Sequence, residues 1–452
     1  MGVGGPDTVA TGEPADRSAA APDAPSPSRR AMGVDVARAV ALIGMIAVHV
    51  FPAENEDGDG LSWSFGIFGG RAAALFAVLT GVSIAFVEKR SRGQLYGRTL
   101  RADRAALAVR GLLILLVGLL LGHLDTPILT IIPYFGVLFL LALPFYGRSS
   151  RVLLIAAALF AVLGPVFRHL LNGRVPEQLD PDADYTLVTA ARQPDLFALD
   201  MLLTGYYPAV LWMVYLCVGM VIGRQVLTSR RLALFLLGWG SALAVAAWSA
   251  SKVLLGPAGG FQRLLEATPA LDGEEISEVL TFGPELVMMP NTTWWWLAAV
   301  SPYSDTPLNL LHNLGAAVAF LGLALLVTRR GSTVFSPFAA MGAMTLTLYS
   351  AHCIVLMLEV LPEEERPMVT LWIQVIAFML FALMWRSSMG KGPLEAVISE
   401  ASDWTRRRVR GTPADIRPPP GSGDGHLRAG GGGTSTNESV RPRRTKPRGN
   451  RR

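Results

Sequence analysis

The chain has 452 residues, of which 51% are hydrophobic and only 17% are charged. A soluble domain usually carries about 25% charged residues, and a mean hydropathy of +0.40 also argues against an ordinary water-soluble protein. The formal net charge of +5 arises mainly in the C-terminal tail, at Arg406, Arg407, Arg408 and the run from Arg441 to Arg452. We therefore expect a basic tail close to anionic lipid and no nucleic-acid partner.

The two ends of the chain differ in composition from the part between them. Residues 1–28 are rich in Ala, Pro, Asp and Ser, and residues 411–452 are rich in Pro, Gly and Arg. Both compositions predict disordered tails. We expect no cleavable signal at the N-terminus, so the first apolar stretch is predicted to act as an uncleaved targeting signal.

Ten apolar stretches lie between the tails. Each has roughly 18–22 residues, and a helix of that length spans about 30 Å of hydrocarbon. They fall near residues 32–51, 66–87, 105–123, 128–146, 151–171, 207–226, 232–254, 309–328, 337–358 and 368–386. The sequence therefore predicts an all-α fold, a polytopic membrane helix bundle of about ten transmembrane helices over residues 29–390.

Basic residues alternate between the predicted loops. The loops after the second, fourth, sixth and eighth stretches contain several Arg or Lys residues, whereas residues 52–61 contain none. Cytoplasmic loops carry the excess of Lys and Arg. Both termini are therefore predicted to be cytoplasmic, in a multi-pass protein of the bacterial cell (plasma) membrane.

A short helix is predicted after the last span, at residues 391–410. Its apolar residues recur at helical spacing, and three arginines follow them, which is typical of an amphipathic helix in the membrane interface. The apolar residues are Leu394, Val397, Ile398, Ala401 and Trp404.

The first predicted helix contains three ionisable residues, Asp35, Arg38 and His49. Such residues are costly inside a membrane, so each is a functional candidate. Arg38 and His49 are eleven residues apart, which places them within about 20° of one helix face and about 16 Å apart along the axis. Such a pair can address both ends of one buried channel. The alternative is an interfacial salt bridge between Asp35 and Arg38, with His49 in the headgroup zone.

Histidines are concentrated at the predicted outer helix ends. Histidine titrates near neutral pH and is the usual general base. The alternative for each of them is a polar residue at a wet interface. The five are His49, His123, His169, His312 and His352.

Neither the histidines nor the two cysteines predict a metal site. No two of these histidines have ligand spacing on one helix. Cys217 and Cys353 both fall inside apolar stretches, so neither a disulfide nor a metal is expected. There is also no P-loop, G-x-S-x-G or H-E-x-x-H motif.

The first two predicted helices resemble those of membrane acyltransferases. Residues 33–49 read GVDVARAVALIGMIAVH, and the Arg-x10-His spacing of Arg38 and His49 is similar to the signature of the acyltransferase 3 family. Residues 74–83, ALFAVLTGVS, look like a segment shared by that family and the heparan-alpha-glucosaminide N-acetyltransferase family.

The C-terminal half resembles a bacterial membrane family of unknown function from the same superfamily. The matching segments are GYYP at 205–208, GMVIGR at 219–224, PFAAMG at 337–342, LTLYSAH at 346–352 and GPLE at 392–395. The chain departs from the resemblance at one point. Lysosomal-type sugar acetyltransferases carry a catalytic histidine in the loop after the first helix, and here that loop, from Pro52 to Ser64, contains no histidine. The acyltransferase 3 arrangement, with His49 on the helix, fits better.

The resemblance implies transfer of an acetyl group from acetyl-CoA to a hydroxyl or amine of a sugar, a lipid-linked molecule or a small molecule. His49 is then the general base, with His352 as a second catalytic candidate. Arg38 is expected to hold phosphate or pantetheine of the donor, with Asp35 beside it.

Arg71 and Ser83 are the candidates for substrate binding. The expected partners are the lipid bilayer, an acyl-CoA donor and an acceptor of unknown identity. Two other classes stay open. One is a transporter or flippase of a small hydrophilic or lipid-linked molecule, whose pathway the same Arg and His residues would line. The other is a structural membrane protein without catalysis.

Overall fold

The structure is a computed structural model of the chain. It describes residues 1–2, 29–55, 57–58, 60–91, 97–124, 126, 128–174, 185–284, 288–329, 333–361 and 365–411, and for 29–31 the backbone alone. The two tails predicted to be disordered, 1–28 and 411–452, lie outside the described residues apart from residues 1, 2 and 411.

All described secondary structure is helical apart from one isolated β-bridge between Glu54 and Leu61, which confirms the predicted all-α class. The elements in chain order are α1 (Arg29–Val50), α2 (Trp63–Phe68), α3 (Arg71–Arg90), α4 (Arg98–Leu121), α5 (Ile132–Leu141), α6 (Ser150–Leu171), α7 (Leu187–Arg192), α8 (Pro194–Leu199), a π-helical turn (Asp200–Thr204), α9 (Ala209–Gly223), α10 (Arg230–Leu255), α11 (Gly260–Ala267), α12 (Gly273–Phe282), a 3-10 turn (Trp294–Ala298), α13 (Pro307–Val327), α14 (Ser336–Gly342), α15 (Thr345–Met357), α16 (Pro367–Ser388) and α17 (Pro393–Arg410).

Several long helices begin at a residue that caps the first turn. The side-chain oxygens of Ser149, Ser229 and Thr306 accept hydrogen bonds from backbone N–H groups at the starts of α6, α10 and α13. These N–H groups have no partner within the helix, and a Ser or Thr cap satisfies one of them. The caps therefore define where these apolar helices begin.

Seven helices within the described residues are long and apolar enough to cross a membrane. Two bent pairs of helices pass the same test together, and each is either a broken span or a re-entrant loop: Pro194–Thr204 with Ala209–Gly223, bent by 49°, and Ser336–Gly342 with Thr345–Met357, bent by 79°. Seven to nine candidate spans confirm a polytopic helical bundle. The total of ten and the side on which the termini lie stay predictions.

The largest difference from the predicted spans is at residues 128–146. There α5 has only ten residues, Ile132–Leu141, which is about 15 Å of helix. Pro144 follows three residues later within a run of turns. Proline lacks an N–H and disfavours helical backbone in the residue before it. Hydropathy alone did not separate this short helix from a full span.

Glycines allow the central helices to approach closely. A Cβ built on Gly81 of α3 would overlap the Leu216 carbonyl oxygen of α9, and one on Gly219 of α9 would overlap the Val78 carbonyl oxygen. In lipid, helices associate mainly through such close packing, because the surroundings are as apolar as the side chains. Helix α1 lies in the centre of this packing, and its Leu42 and Ile46 are completely buried.

The outer helices expose large apolar side chains. Leu159 of α6, Trp239 of α10 and Trp372 of α16 are each more than half exposed. On a water-soluble protein, such a surface would favour association with another apolar surface. On this bundle it is the face that we expect lipid to cover.

The two ends of the bundle differ in character. The basic end carries Arg90, Arg148 and Arg224, and Arg224 forms a two-point ion pair with Glu88, with N–O distances of 2.8 and 2.7 Å. The loop end carries the described parts of two loops, residues 51–55, 57–58 and 60–62 of the first and residues 256–284 and 288–306 of the second. The latter include α11 and α12, which pack with the 3-10 turn around the fully buried Trp296.

Helix α17 forms where residues 391–410 predicted a helix. It packs along α4, and its Arg406 and Arg410 contact the buried Asp103 of α4 at 3.0 and 3.3 Å. Its Val397 and Trp404 are exposed. The position of α17 in the membrane interface stays a prediction.

Candidate functional site

Two histidines from distant parts of the chain meet inside the bundle. His49 lies in the last turn of α1 and His352 lies on α15, with His49 Nδ1 3.0 Å from His352 Nε2. Their rings are nearly parallel, with centroids 5.3 Å apart and an angle of 6°. His352 is completely buried. The structure therefore brings both predicted catalytic candidates into one contact.

The hydrogen bond from His352 to Gln374 determines where the protons lie. His352 Nδ1 is 2.7 Å from the Gln374 side-chain oxygen, and an amide oxygen only accepts. His352 Nδ1 therefore carries hydrogen, and its Nε2 accepts from His49 Nδ1–H. This arrangement leaves His49 Nε2 with a free lone pair, as a general base requires.

Tyr349 of α15 completes an aromatic layer with the two histidines. Its ring centroid is 6.3 Å from that of His49 and 6.2 Å from that of His352, both edge to face. Tyr349 is 4% exposed. We call His49, Tyr349 and His352 the aromatic layer.

Two cavities approach the aromatic layer from opposite ends of the bundle. The loop cavity, of about 570 Å³, is lined by His49 and by Tyr206, Tyr207 and Tyr303. The arginine cavity, of 210 Å³, is lined by Tyr349 and by Arg38, Ser83, Arg110 and Glu395. One member of the layer thus faces each cavity.

Arg38 contacts two other predicted site residues, Asp35, which was expected beside it, and Ser83, which was not. Its Nη1 donates to Asp35 Oδ1 at 2.9 Å, and its Nη2 donates to Ser83 Oγ. The alternative salt bridge between Asp35 and Arg38 is therefore present. Arg38 and Ser83 also line the arginine cavity, whereas Asp35 does not. Asp35 thus contacts Arg38 from outside the cavity, and its predicted function in donor binding stays a prediction.

Arg110 of α4 is a site residue that the sequence analysis missed. It lines the arginine cavity, its guanidinium carbon lies 5.4 Å from the centre of the Phe139 ring, and its buried Nε has no hydrogen-bond partner among the described residues. Arg110 lies inside the predicted span 105–123, where an ionisable residue is costly. That cost alone could have identified Arg110 as a candidate site residue from the sequence.

A third cavity adjoins the arginine cavity at Arg110. This basic cavity has a volume of 310 Å³ and lies between α3, α4 and α17. Its charged lining residues are Arg90, Arg110, Lys391, Arg406, Arg410, Asp103 and Asp403. Five cations and two carboxylates give a formal charge of +3, which favours an anion. Part of this wall comes from α17, which the sequence analysis treated as an interfacial helix.

Glu395 of α17 connects that helix to the aromatic layer. Its carboxylate accepts from Leu346 N at 2.8 Å, Thr347 N at 3.1 Å and Thr347 Oγ1 at 2.5 Å. These groups lie in the first turn of α15, where a carboxylate is favoured by free N–H groups and by the helix dipole. Two segments of the C-terminal resemblance, at 346–352 and 392–395, thus contact each other.

Arg71 does not join the aromatic layer. Its Nε donates to His312 Nε2 at 3.2 Å and its Nη1 donates to the Gly66 carbonyl at 2.6 Å. It lines a separate cavity at the loop end. His169 also lies elsewhere, against Trp294 with ring centroids 4.7 Å apart. Of the five histidines, the structure brings His49 and His352 together.

The described residues contain no group of three His, Cys, Asp or Glu side chains that could hold a metal ion. The polar side chains that line the two cavities include Arg38, Arg110 and Ser83 in the arginine cavity and Tyr206, Tyr207 and Tyr303 in the loop cavity. Such groups bind anions and polar organic molecules.

A comparison with protein families gives one match. Residues 30–253 match the family described as heparan-alpha-glucosaminide N-acetyltransferase, catalytic. The match includes Arg38, His49 and Ser83 and ends before α15, α16 and α17, which carry His352, Gln374 and Glu395. A comparison with curated proteins finds no match. The family match identifies the N-terminal half of this chain as membrane acetyltransferase-like.

Proposed function

We propose that the protein is an integral membrane acyltransferase that moves an acetyl group from acetyl-CoA to a hydroxyl or amine of an acceptor. The observation that carries the proposal is the position of His49. Its Nε2 is left with a free lone pair by the contacts to His352 and Gln374. Its ring lines the loop cavity, and its neighbour Tyr349 lines the arginine cavity.

The donor is proposed to enter from the basic end. Acetyl-CoA carries its phosphates at one end and its thioester at the other, joined by the flexible pantetheine arm. The formal charge of +3 in the basic cavity suits the phosphates, because arginine forms paired hydrogen bonds with phosphate oxygens. Arg110 lines both the basic and the arginine cavity. The pantetheine arm can therefore run past Arg38 and Arg110 to bring the thioester to Tyr349.

The reaction proceeds at the aromatic layer. His49 Nε2 takes the proton from the acceptor hydroxyl or amine as that atom attacks the thioester carbonyl carbon. The tetrahedral intermediate then collapses, the carbon–sulfur bond breaks, and the CoA thiolate takes the proton back from His49. His352 orients His49 and does not itself exchange a proton. A positioned general base of this kind contributes about 10²–10⁴-fold in rate.

The test is release of CoA thiol from acetyl-CoA by purified protein supplied with membrane extract as the source of acceptor. His49→Ala should lower the rate by roughly 10²–10⁴-fold while the protein still inserts. His123→Ala is the matched control, because His123 is an exposed histidine that lines neither cavity at the layer. A transporter or flippase would give no His49-dependent thiol release. Wild-type release by the His49→Ala protein would contradict the mechanism.

A further inference from the structure

Another cavity lined by cations lies at the loop end, next to the loop cavity. It has a volume of 510 Å³ and is bounded by α10, α12 and residues 300–302. Arg71 and Lys252 are its two charged lining residues, and none of the described Asp or Glu side chains lines it. Its polar lining is completed by the hydroxyl groups of Ser251, Ser277, Thr281 and Ser301. We call it the Arg71 cavity.

The Arg71 guanidinium donates its hydrogen bonds to neutral groups. His312 Nδ1 is 2.9 Å from the Ala244 carbonyl oxygen, so Nδ1 carries hydrogen and Nε2 accepts from Arg71 Nε. Arg71 Nη1 also donates to the Gly66 carbonyl. Within the described part of the chain, neither Arg71 nor Lys252 has a carboxylate within 4.0 Å. The guanidinium is thus oriented while its charge stays uncompensated.

Ser301 gives an independent indication of a ligand. It is 2% exposed, and its Oγ has no hydrogen-bond partner among the described residues. A buried hydroxyl without a partner is unfavourable, and an oxygen atom bound in the cavity would satisfy it. Ser301 therefore adds an unused polar group to the two cations.

The opening of the cavity is amphipathic. Lys252 Nζ lies 5.9 Å from the centre of the Trp248 ring. Trp248 is 50% exposed on α10, on the side of the bundle that we expect lipid to cover. A ligand with a charged head and an apolar tail can therefore reach the cavity along α10.

We propose that the Arg71 cavity binds a phosphate-bearing group. Guanidinium and ammonium groups together suit a tetrahedral anion, whose several oxygens can use Arg71, Lys252 and Ser301 at once. A planar carboxylate has fewer oxygens for the same donors. Two sources carry this chemistry, the head of an anionic amphiphile and a soluble phosphate ester.

The cavity also has a place in the proposed reaction. Pro302 lines both the Arg71 cavity and the loop cavity that contains His49. A phosphate held beside Arg71 would anchor an acceptor whose hydroxyl or amine extends to His49. This second role rests on the proposed acyltransferase function, whereas phosphate binding itself does not.

The test measures binding directly, by calorimetry on the full chain in a neutral maltoside detergent. Dodecyl phosphate represents the amphiphile and glycerol phosphate represents the soluble ester. We expect saturable binding by the wild type. The double variant Arg71→Gln/Lys252→Gln should bind roughly ten- to a hundredfold more weakly, the usual effect of losing charged hydrogen bonds. Ser301→Ala should give a smaller loss.

Controls separate this site from general charge and from folding. Arg263 of α11 is an exposed cation whose guanidinium carbon lies 5.0 Å from the centre of the Trp295 ring. It does not line the Arg71 cavity, so Arg263→Gln should leave binding unchanged. Lys252→Gln alone changes an exposed side chain, so it tests the site if the double variant fails to fold. Binding of dodecyl phosphate alone assigns the site to an amphiphile, and equal binding of both probes assigns it to a soluble ester. No saturable binding of either probe, or equal binding by wild type and a folded Arg71→Gln/Lys252→Gln or Lys252→Gln variant, would overturn the proposal.

The experiments test the acyltransferase proposal independently of phosphate binding in the Arg71 cavity. Saturable phosphate binding without His49-dependent thiol release would support the Arg71 cavity and contradict the proposed reaction. Thiol release that depends on His49, without phosphate binding, would support the proposed reaction and contradict the phosphate site in the Arg71 cavity.

Discussion

At the scale of single residues, Arg38 combines a structural contact with a position in a cavity. One side of its guanidinium faces Asp35 and the other donates to Ser83, and Arg38 and Ser83 both line the arginine cavity. The contacts alone fit a structural salt bridge as well as a donor site. A substitution at Arg38 distinguishes these two functions.

Arg38→Ala should weaken acetyl-CoA binding, because a lost charged hydrogen bond costs about 1.5–3 kcal/mol, or roughly ten- to a hundredfold in affinity. Arg38→Lys should recover only part of this, since an ammonium lacks the planar fork of guanidinium. Calorimetric titration of acetyl-CoA measures both effects. Arg148→Ala, at an exposed arginine of the basic end, is the control. Normal donor affinity in Arg38→Ala would leave Arg38 with the salt bridge alone.

Asp305 is a buried carboxylate at the loop end with an unusual titration. It pairs with Arg168 at 2.7 Å and accepts from Trp212 Nε1 at 3.3 Å. Burial raises the pKa of Asp305 from 3.8 to about 6, against the lowering effect of Arg168. Because the folded-state pKa lies above the unfolded one, folding favours the protonated form, and the stability from this group falls as pH rises from about 4 through 6.

Asp305→Asn should remove this pH dependence. When the pH is raised from 5 to 8, the thermal midpoint of the wild type should decrease. The midpoint of the variant should not show this decrease. Asn also tolerates the positive φ of 49° at this position better than most residues do. Thermal unfolding in detergent at both pH values measures the effect. Asp195→Asn, at an exposed acid, should keep the wild-type slope, and an unchanged slope in Asp305→Asn would exclude Asp305 as its source.

The sequence predicted part of this site. Helical spacing placed Arg38 and His49 on one face of α1, and the same stretch supplied Asp35. His352 was a candidate, but its contact with His49 joins residues 303 positions apart, which no local pattern encodes. Gln374, which determines the proton positions, lies among apolar residues of α16 without any motif. Its contact with His352 joins α16 to α15 across 22 residues and is visible only in the folded bundle.

At the scale of elements, the bent pair formed by α14 and α15 is a second departure from the sequence prediction, after the short helix α5. Residues 337–358 were predicted as one helix, but the chain bends by 79° between Gly342 and Thr345. A Cβ on Gly342 would overlap the carbonyl oxygen of Asp35, so α14 lies directly against α1. Hydropathy gives the length of an apolar stretch but not a bend caused by packing on a distant helix.

The break makes the first turn of α15 available to Glu395 of α17. Glu395→Gln should reduce stability by about 0.5–2 kcal/mol, the usual effect of losing a helix cap, and should also lower the rate of thiol release because α15 carries Tyr349 and His352. Thermal unfolding and the thiol assay measure the two effects. Glu400→Gln, at an exposed position of α17, is the matched control. Equal behaviour of the two variants would show that α17 does not support the site.

At the scale of the whole molecule, orientation in the membrane is the prediction on which the directions of donor and acceptor depend. The basic end is predicted to be cytoplasmic. Asp57→Cys and Arg148→Cys place a thiol at an exposed position of each end, and the native Cys217 and Cys353 are buried. An impermeant thiol reagent should label Asp57→Cys in intact cells and Arg148→Cys only after the membrane is opened. The reverse pattern would invert the predicted topology.

The aromatic layer between the loop cavity and the arginine cavity also makes the protein part of the electrical insulation of its membrane. A potential of 100 mV is worth about 2.3 kcal/mol for each elementary charge that crosses it. With water in a cavity on either side of the layer, we expect much of that voltage to fall across His49, Tyr349 and His352. In the proposed function, these side chains must therefore prevent ion leakage as well as perform chemistry. In the proposed reaction, an acetyl group passes this barrier by changing its covalent partner while CoA remains on its own side, so the transfer is vectorial without permeation of the carrier.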